Sequence, residues 1–177
     1  MNKRAIELSI NFLVVVIISM VILSTGILLI KRYFGVAEEI KTQLDEQTIA
    51  HIEELLDQGD IVAMPLKRKT IESGNSDIFG LGVININEAN TFFNVNIALS
   101  KLVKEDKTTL NPADLNYNPE DWLLYEKSFN LEFKENKKIA IRLAVPDGVY
   151  QGTYIYDVEV LANNNRYGFT KMYVVVP

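Results

Sequence analysis

The acidic side chains are the residues whose types and positions come nearest to catalytic chemistry. Three pairs of neighbouring carboxylates carry the functional groups needed for general acid–base work: Glu38-Glu39, Glu53-Glu54 and Glu120-Asp121. Such work requires burial that separates the two pKa values of a pair, whereas neighbouring acids in charged segments are typically solvated. The only histidine, His51, is isolated in the sequence, and a lone histidine is typically a surface or packing residue. We therefore predict no catalytic residue and no enzymatic activity.

The acidic residues of segment 104–125 were weighed as calcium ligands, since calcium prefers carboxylate oxygens. These residues are Asp106, Asp114, Glu120 and Asp121. Their spacing lacks the D-x-D-x-D-G pattern of a calcium loop. The chain contains no cysteine, which excludes Cys-based zinc and iron–sulfur sites. It also contains no phosphate loop and no H-E-x-x-H motif. We expect no metal and no cofactor.

Charge is segregated along the chain, with four basic residues against one acidic residue in 1–35 and one lysine against eight acidic residues in 36–60. No basic face is evident that would neutralise phosphates, so we predict no nucleic-acid partner. The one basic cluster after residue 60 is Lys67-Arg68-Lys69. A solvated edge strand explains this cluster better than a phosphate site, because edge strands often carry lysine.

Residues 8–30 contain no ionised side chain. At 1.5 Å per residue this length exceeds the ~30 Å hydrocarbon core of a bilayer, so the segment predicts a transmembrane helix. A cleavable signal would have a shorter apolar region and a small-x-small site. We assign residues 1–32 to a transmembrane anchor with a short N-terminal tail.

Polar and small residues fall on one third of the circumference of this predicted helix: Glu7, Asn11, Ser19, Thr25 and Gly26. Membrane helices associate through close approach at small residues and through hydrogen bonds between polar ones. The stripe therefore predicts a helix-packing face. The alternative is that Glu7 and Asn11 lie at the headgroup level and that the other three residues are ordinary components of a membrane helix.

Residues 33–59 contain no proline, and their apolar side chains recur at spacings of three and four residues. This is the period of one helix face. We predict an amphipathic stalk helix that continues from the anchor and ends near Gly59.

After residue 60 the period changes from helical to alternating. Apolar residues occupy every second position around 93–99, 139–145 and 154–160, and turn signals such as Asn163-Asn164-Asn165 separate the segments. About seven short strands with no helix between them predict an all-β antiparallel sandwich over residues 60–177.

The interval 104–125 interrupts this alternation with two Asn-Pro steps, which predicts a long loop. Long ordered loops are often functional. The loop contains the only tryptophan, Trp122, close to Tyr125. Trp122 and Tyr125 are candidate contact residues, although the favoured interpretation of Trp122 is that it closes one end of the sandwich.

The N-terminal sequence Ser9-Ile10-Asn11-Phe12, with basic residues before it and an apolar helix after it, resembles the signal and helix of archaeal type IV pilin-like proteins. Those proteins often carry Ser-x-Glu-Phe or Ser-x-Glu-Tyr at this place, where this chain has Asn11. The resemblance covers about the first thirty residues. It implies a subunit that assembles through its helix.

The sequence Val145-Pro146-Asp147-Gly148, followed by Gly152-Thr153-Tyr154, resembles the late hairpin region of prokaryotic immunoglobulin-like domains. There, a Pro-x-Gly turn and a Gly-Thr-Tyr step introduce a core strand. A helix that carries such a sandwich is similar in architecture to archaellum stator and pseudopilin-like subunits. This similarity implies a class of role and no functional residue.

Together these patterns predict a single-pass membrane protein with a cytoplasmic N-terminus and an extracytoplasmic C-terminal domain. The expected function is that of a non-enzymatic structural or interaction protein at the cell surface. The expected partners are the lipid bilayer, transmembrane helices of the same or another chain, and cell-envelope or filament subunits. The alternative is a tethered binding module that recognises a soluble ligand or glycan through the 104–125 loop.

Overall fold

The computed structural model of the chain describes residues 15–23 and 44–177. The chain divides into two compact units, Met1–Glu39 and Ile40–Pro177. In the first unit, residues 15–23 form a helix whose side chains are mostly exposed. The rest of the predicted span over 8–30, and residues 33–43 of the predicted stalk, lie outside the described residues.

The prediction of a single-pass membrane localisation is contradicted. Within residues 15–23 and 44–177, no helix combines the length and the apolarity that crossing a membrane requires. The predicted cytoplasmic N-terminus and extracytoplasmic domain depended on this localisation and are contradicted with it. The expected bilayer and transmembrane partners receive no support.

Helix α1 (Glu46–Asp57) is the first element of the second unit. Its N-cap is Asp45, whose carboxylate accepts hydrogen bonds from the Thr48 backbone N–H at 2.6 Å and from the Thr48 hydroxyl at 3.0 Å. Such a cap satisfies backbone donors that have no partner within the helix. The predicted stalk helix therefore does not run unbroken through residues 44–45, because the side chain of Asp45 begins a new helix there.

Ten strands and two short 3₁₀ helices follow. In chain order the strands are β1 (Val62–Ala63), β2 (Arg68–Thr70), β3 (Ser76–Ile84), β4 (Thr91–Val103), β5 (Thr109–Leu110), β6 (Leu123–Leu124), β7 (Ser128–Leu131), β8 (Asn136–Ala144), β9 (Gly152–Ala162) and β10 (Asn165–Val176). The 3₁₀ helices, Pro112–Asp114 and Pro119–Trp122, lie in the long loop between β5 and β6.

The strands form two sheets, one in the order β1-β3-β8-β6 and the other in the order β2-β10-β9-β4-β5, with β7 also paired to β4. These orders correspond to strands A-B-E-D and G-F-C of an immunoglobulin domain. All pairs are antiparallel except that of β2 with β10, which is parallel. The prediction of an immunoglobulin-like sandwich is confirmed, and the count exceeds seven because the additional strands are edge pieces of two to four residues.

Alternation of side chains builds the core between the sheets. Along β9, every second residue is buried, from Gly152 to Ala162. Tyr154 and Tyr156 of β9 and Phe79 of β3 are among the largest fully buried side chains. The three alternating segments predicted as strands correspond to β4, β8 and β9.

Helix α1 packs on the outer side of the four-stranded sheet, over β3. A Cβ atom added at Gly80 would lie 2.6 Å from Cγ2 of Thr48, and one added at Gly82 would overlap Cγ2 of Ile52. Both glycines therefore let the helix approach the sheet closely. Ile52 is completely buried by this contact. The division of the chain at residues 32 and 59 remains a prediction.

Candidate interaction surface

The predicted helix-packing face lies almost entirely outside the described residues, which include Ser19 but not Glu7, Asn11, Thr25 or Gly26. The Ser19 hydroxyl donates a hydrogen bond of 2.8 Å to the carbonyl oxygen of Val15, four residues earlier in the same helix. The packing face stays a prediction.

Tyrosine hydroxyl groups fasten the 104–125 loop to one end of the sandwich. The Tyr154 hydroxyl donates to the carbonyl of Tyr150 at 2.8 Å and lies 2.7 Å from the hydroxyl of Tyr117. This bond to the backbone just upstream of β9 has the form of a tyrosine corner. The Tyr156 hydroxyl donates to the carbonyl of Pro119 at 3.1 Å. Burial raises the pKa of both Tyr154 and Tyr156.

The two candidate contact residues of this loop make contacts inside the domain. Trp122 is 8% exposed, with its ring stacked on Tyr117 at 5.6 Å and edge-on to Tyr154 at 5.0 Å between centroids. Tyr125 is half-buried, and its hydroxyl accepts a hydrogen bond of 3.2 Å from the Ile97 N–H. Burial raises the pKa of Tyr125. Their role as contact residues for a ligand stays a prediction.

A cleft of about 350 Å³ lies beside Trp122, at the end of the four-stranded sheet. Leu124 contributes an exposed apolar side chain to the cleft, and Asp121 and Arg142 contribute opposite charges. The Arg142 guanidinium lies 3.4 Å from the Ser76 hydroxyl. The lining of the cleft thus combines apolar side chains with one cation and one anion.

The acidic residues of the loop serve its own backbone. Asp106 accepts from the Thr108 N–H at 2.8 Å, and Asp114 accepts from the Asn111 N–H at 2.8 Å. The bond to Thr108 lowers the pKa of Asp106. In residues 15–23 and 44–177, no three His, Asp or Glu side chains come together in a way that would hold a metal ion. His51 is exposed, with its Nε2 at 3.9 Å from Glu54.

The outer side of the six-stranded sheet forms a regular surface of the domain, which we call the open face. It consists of the outward side chains of β2, β10, β9 and β4, whose outward positions are partly or fully exposed: Arg68, Thr70, Phe169, Lys171, Tyr173, Val175, Thr153, Ile155, Asp157, Glu159, Leu161, Phe92, Asn94, Asn96, Ala98, Lys101 and Val103. Helix α1 packs on the other sheet, against β3 and β1.

One row of the open face combines apolar side chains with cations. Arg68, Tyr173, Ile155 and Lys101 are neighbours across four adjacent strands, because each is paired in register with the next. Within the part of the chain that the structure describes, the Arg68 and Lys101 side chains have no ion-pair or hydrogen-bond partner. Other charges of the face are neutralised locally, as Lys171 is by Asp157 at 2.5 Å.

The basic cluster at 67–69 is divided between the two sides of β2. Lys69 points inward, where its Nζ lies 2.8 Å from Asp77 Oδ1 and 2.7 Å from the Ile78 carbonyl oxygen. Arg68 points outward onto the open face. The prediction of an edge strand for this cluster is confirmed, since β2 lies at the end of its sheet. Sequence reasoning missed the open face because its residues are those that the alternation assigns to solvent.

Comparison with known proteins gives no family: no protein-family description matches the chain, and no curated protein matches it. Solved structures match over about two thirds of the chain. A PapD-like domain of human CEP192 is 16% identical over 66% of this chain and 85% of that one, with a TM-score of 0.45. The Salmonella enterica SafA pilin in complex with the SafB chaperone is 14% identical over 65% of this chain and 54% of that one, with a TM-score of 0.39.

A family 123 glycoside hydrolase from Clostridium perfringens is 13% identical over 62% of this chain, with a TM-score of 0.46. The chain spans only 22% of the length of that enzyme. At these identities and TM-scores, none of the three structures indicates what the chain binds. The resemblance to archaeal pilin-like and archaellum stator-like proteins stays a hypothesis.

Proposed function

We propose that the chain is a non-enzymatic interaction protein, a structural subunit of a filament or envelope assembly of the pilin-like or archaellum stator-like kind. In this proposal the sandwich contacts a neighbouring protein through the open face. The N-terminal resemblance to pilin-like proteins supports the assembly role, and the open face supports the position of the contact.

The observation that carries the proposal is that helix α1 covers the outer side of one sheet and not that of the other. The outer side of the four-stranded sheet is covered by α1, which buries Ile52 and Leu56. The open face instead exposes aromatic and aliphatic side chains, with Phe92 at 41% and Phe169 at 42%. Exposed aromatic and aliphatic side chains set among polar ones are typical of protein interaction sites.

Photo-crosslinking in the source cells tests the position of the contact. A benzophenone amino acid replaces Ile155, at the centre of the open face, in the full chain. The matched control carries it at Glu132, an exposed residue of the β7–β8 turn. We expect a discrete protein adduct from position 155 and none from position 132. Equal labelling from both positions, or no adduct from position 155, would contradict the proposal.

The cleft beside Trp122 favours a second candidate function, the binding of a soluble ligand next to the 104–125 loop. The ligand would carry an apolar group for Leu124 and a charged group for Arg142 or Asp121. Because Trp122 is the only tryptophan and lines the cleft, its fluorescence reports on occupancy directly. A library of small carboxylates and oligosaccharides that leaves this fluorescence unchanged would count against the second candidate.

A further inference from the structure

We infer that the open face binds an amphipathic helix of a partner protein that carries acidic residues on both flanks of its apolar stripe. This inference rests on the proposed function, since it names the partner of the same surface. Four features of the face carry it: an apolar strip along two strands, a cation on each side of the strip, the spacing of those cations, and the way in which α1 packs on the other sheet.

The apolar strip runs along β9 and β10. Tyr173 is paired with Ile155, and in the next row Val175 is paired with Thr153. All four side chains are partly buried, and Tyr173 has no hydrogen-bond partner for its hydroxyl among residues 15–23 and 44–177. A strip of this kind gains free energy when a partner removes its apolar area from water, and the Tyr173 hydroxyl remains available to bond the partner.

The two cations border the strip on opposite sides. Arg68 of β2 lies beside Tyr173 of β10, and Lys101 of β4 lies beside Ile155 of β9. They are three strand positions apart, which is about 14 Å at ~4.8 Å per strand. A helix that lies along β9 and β10 is about 10–12 Å wide with its side chains. Carboxylates on its two flanks would therefore reach Arg68 on one side and Lys101 on the other.

Helix α1 shows this mode of packing within the molecule. Its apolar residues Ile52 and Leu56 lie on the four-stranded sheet, and the carboxylate of Glu53, next to Ile52, forms an ion pair with Lys138 of β8. Here an acidic helix covers an outer sheet face and places a flanking carboxylate on a strand cation. The open face offers the same chemistry with two such cations, and no helix within residues 44–177 lies over it.

A second copy of the chain fits the face less well. In a symmetric face-to-face dimer centred on this row, the two-fold axis can run along the strands or across them. The first arrangement places Arg68 opposite Lys101 of the other copy, and the second places each cation opposite its own equivalent. Both arrangements bring like charges together, which costs binding free energy.

The test uses the purified full chain and a designed fluorescent helix of about five turns. The acidic probe has leucine on one face and glutamate on both flanks of that face, and the control probe has lysine in place of every glutamate. We expect the acidic helix to bind, and its affinity to fall as salt is raised. Arg68→Glu combined with Lys101→Glu should weaken the acidic helix by about tenfold, since exposed ion pairs are each worth only a fewfold and reversal turns two attractions into repulsions.

The same double variant should bind the lysine helix more tightly than the unmodified chain does. The control variant Lys134→Glu, on the β7–β8 turn, reverses a single charge away from the face and should leave both affinities unchanged. Equal binding of the two helices, or no effect of the double reversal, would overturn the inference. So would self-association by light scattering that abolishes helix binding, which would assign the face to a second copy.

Failure of this inference is distinguishable from failure of the proposed function. An adduct from position 155 in cells, together with no discrimination between acidic and basic helices, would retain the contact surface and reject the acidic helix. Absence of the adduct would reject the contact surface itself.

Discussion

The close contact between helix α1 and Gly82 of β3 leads to a prediction about the free energy of unfolding. In Gly82→Ala, the new methyl group would overlap Cγ2 of Ile52, which is completely buried. Overpacking of this kind costs about 1–3 kcal/mol, because the surrounding atoms must shift. Ile52→Ala alone should cost about 2–5 kcal/mol, through lost transfer free energy and a cavity beneath the helix.

The two substitutions should be strongly coupled, because Ile52→Ala removes the very atom that the new methyl group would meet. In the Ile52→Ala background, the nearest side-chain atom left is Cδ1 of Leu56 at 3.3 Å, which must shift by only a few tenths of an ångström. Replacing glycine in a strand gains about 0.5–1 kcal/mol of backbone entropy, which offsets this shift, so Gly82→Ala should be close to neutral there. The expected coupling free energy is about 1–3 kcal/mol, within the range found for residues in contact.

Urea unfolding of the full chain measures this cycle, with Trp122 fluorescence as the signal, since this residue is the only tryptophan and is 8% exposed. The control cycle combines Gly82→Ala with Val160→Ala, which lies in the other sheet and should be additive within about 0.5 kcal/mol. If Gly82→Ala costs the same with and without Ile52, the helix does not rest on this glycine and the reasoning fails.

Three further predictions concern the tyrosines and the helix cap. Tyr154→Phe should lower the free energy of unfolding by about 1–3 kcal/mol, because the carbonyl of Tyr150 loses its donor; Tyr173→Phe, which loses no bond, is the matched control, and equal effects in urea melts would refute the corner. Burial raises the pKa of Tyr154 and Tyr156 above the usual value of about 10. The unfolded chain therefore releases these protons first, so the contribution of the two tyrosines to stability should be level below pH 10 and fall above it. Tyr156→Phe should lessen that fall in melts recorded against pH. Asp45→Ala should speed amide hydrogen exchange in the first turn of α1, and an unchanged rate would exclude the cap.

The fold was predictable from sequence where burial imposes a simple period. The alternation at 93–99 and 154–160 predicts β4 and β9, because each strand faces the core on one side only. The start of α1 was not found, although Asp45 followed by Thr48 is a recognisable N-cap signal. The apolar period continues through Leu44 and Thr48 without a break. Because a period shows only which face of a helix is apolar, it does not show where one helix ends and the next begins.

The open face could not have been located in the same way. Its central row depends on the register that places Lys101 beside Ile155, and a bulge between Leu99 and Lys101 sets that register. Arg68 joins the row through the parallel pairing of β2 with β10, which links residues far apart in the sequence. Local sequence patterns carry no information about this register or about this parallel pairing. The strand that carries Tyr154 is different, because its local Gly-Thr-Tyr step indicated it.

The parallel pairing of β2 with β10 also constrains how the domain is made. Arg68 has its partner at Tyr173, and Thr70 has its partner at Val175, so β2 cannot be incorporated until nearly the whole domain has left the ribosome. Contacts of such long sequence separation slow folding, because the intervening chain must lose conformational entropy before the contact contributes any stabilisation. During synthesis, β2 waits with unpaired backbone groups, and in this interval the nascent chain is exposed to wrong pairing.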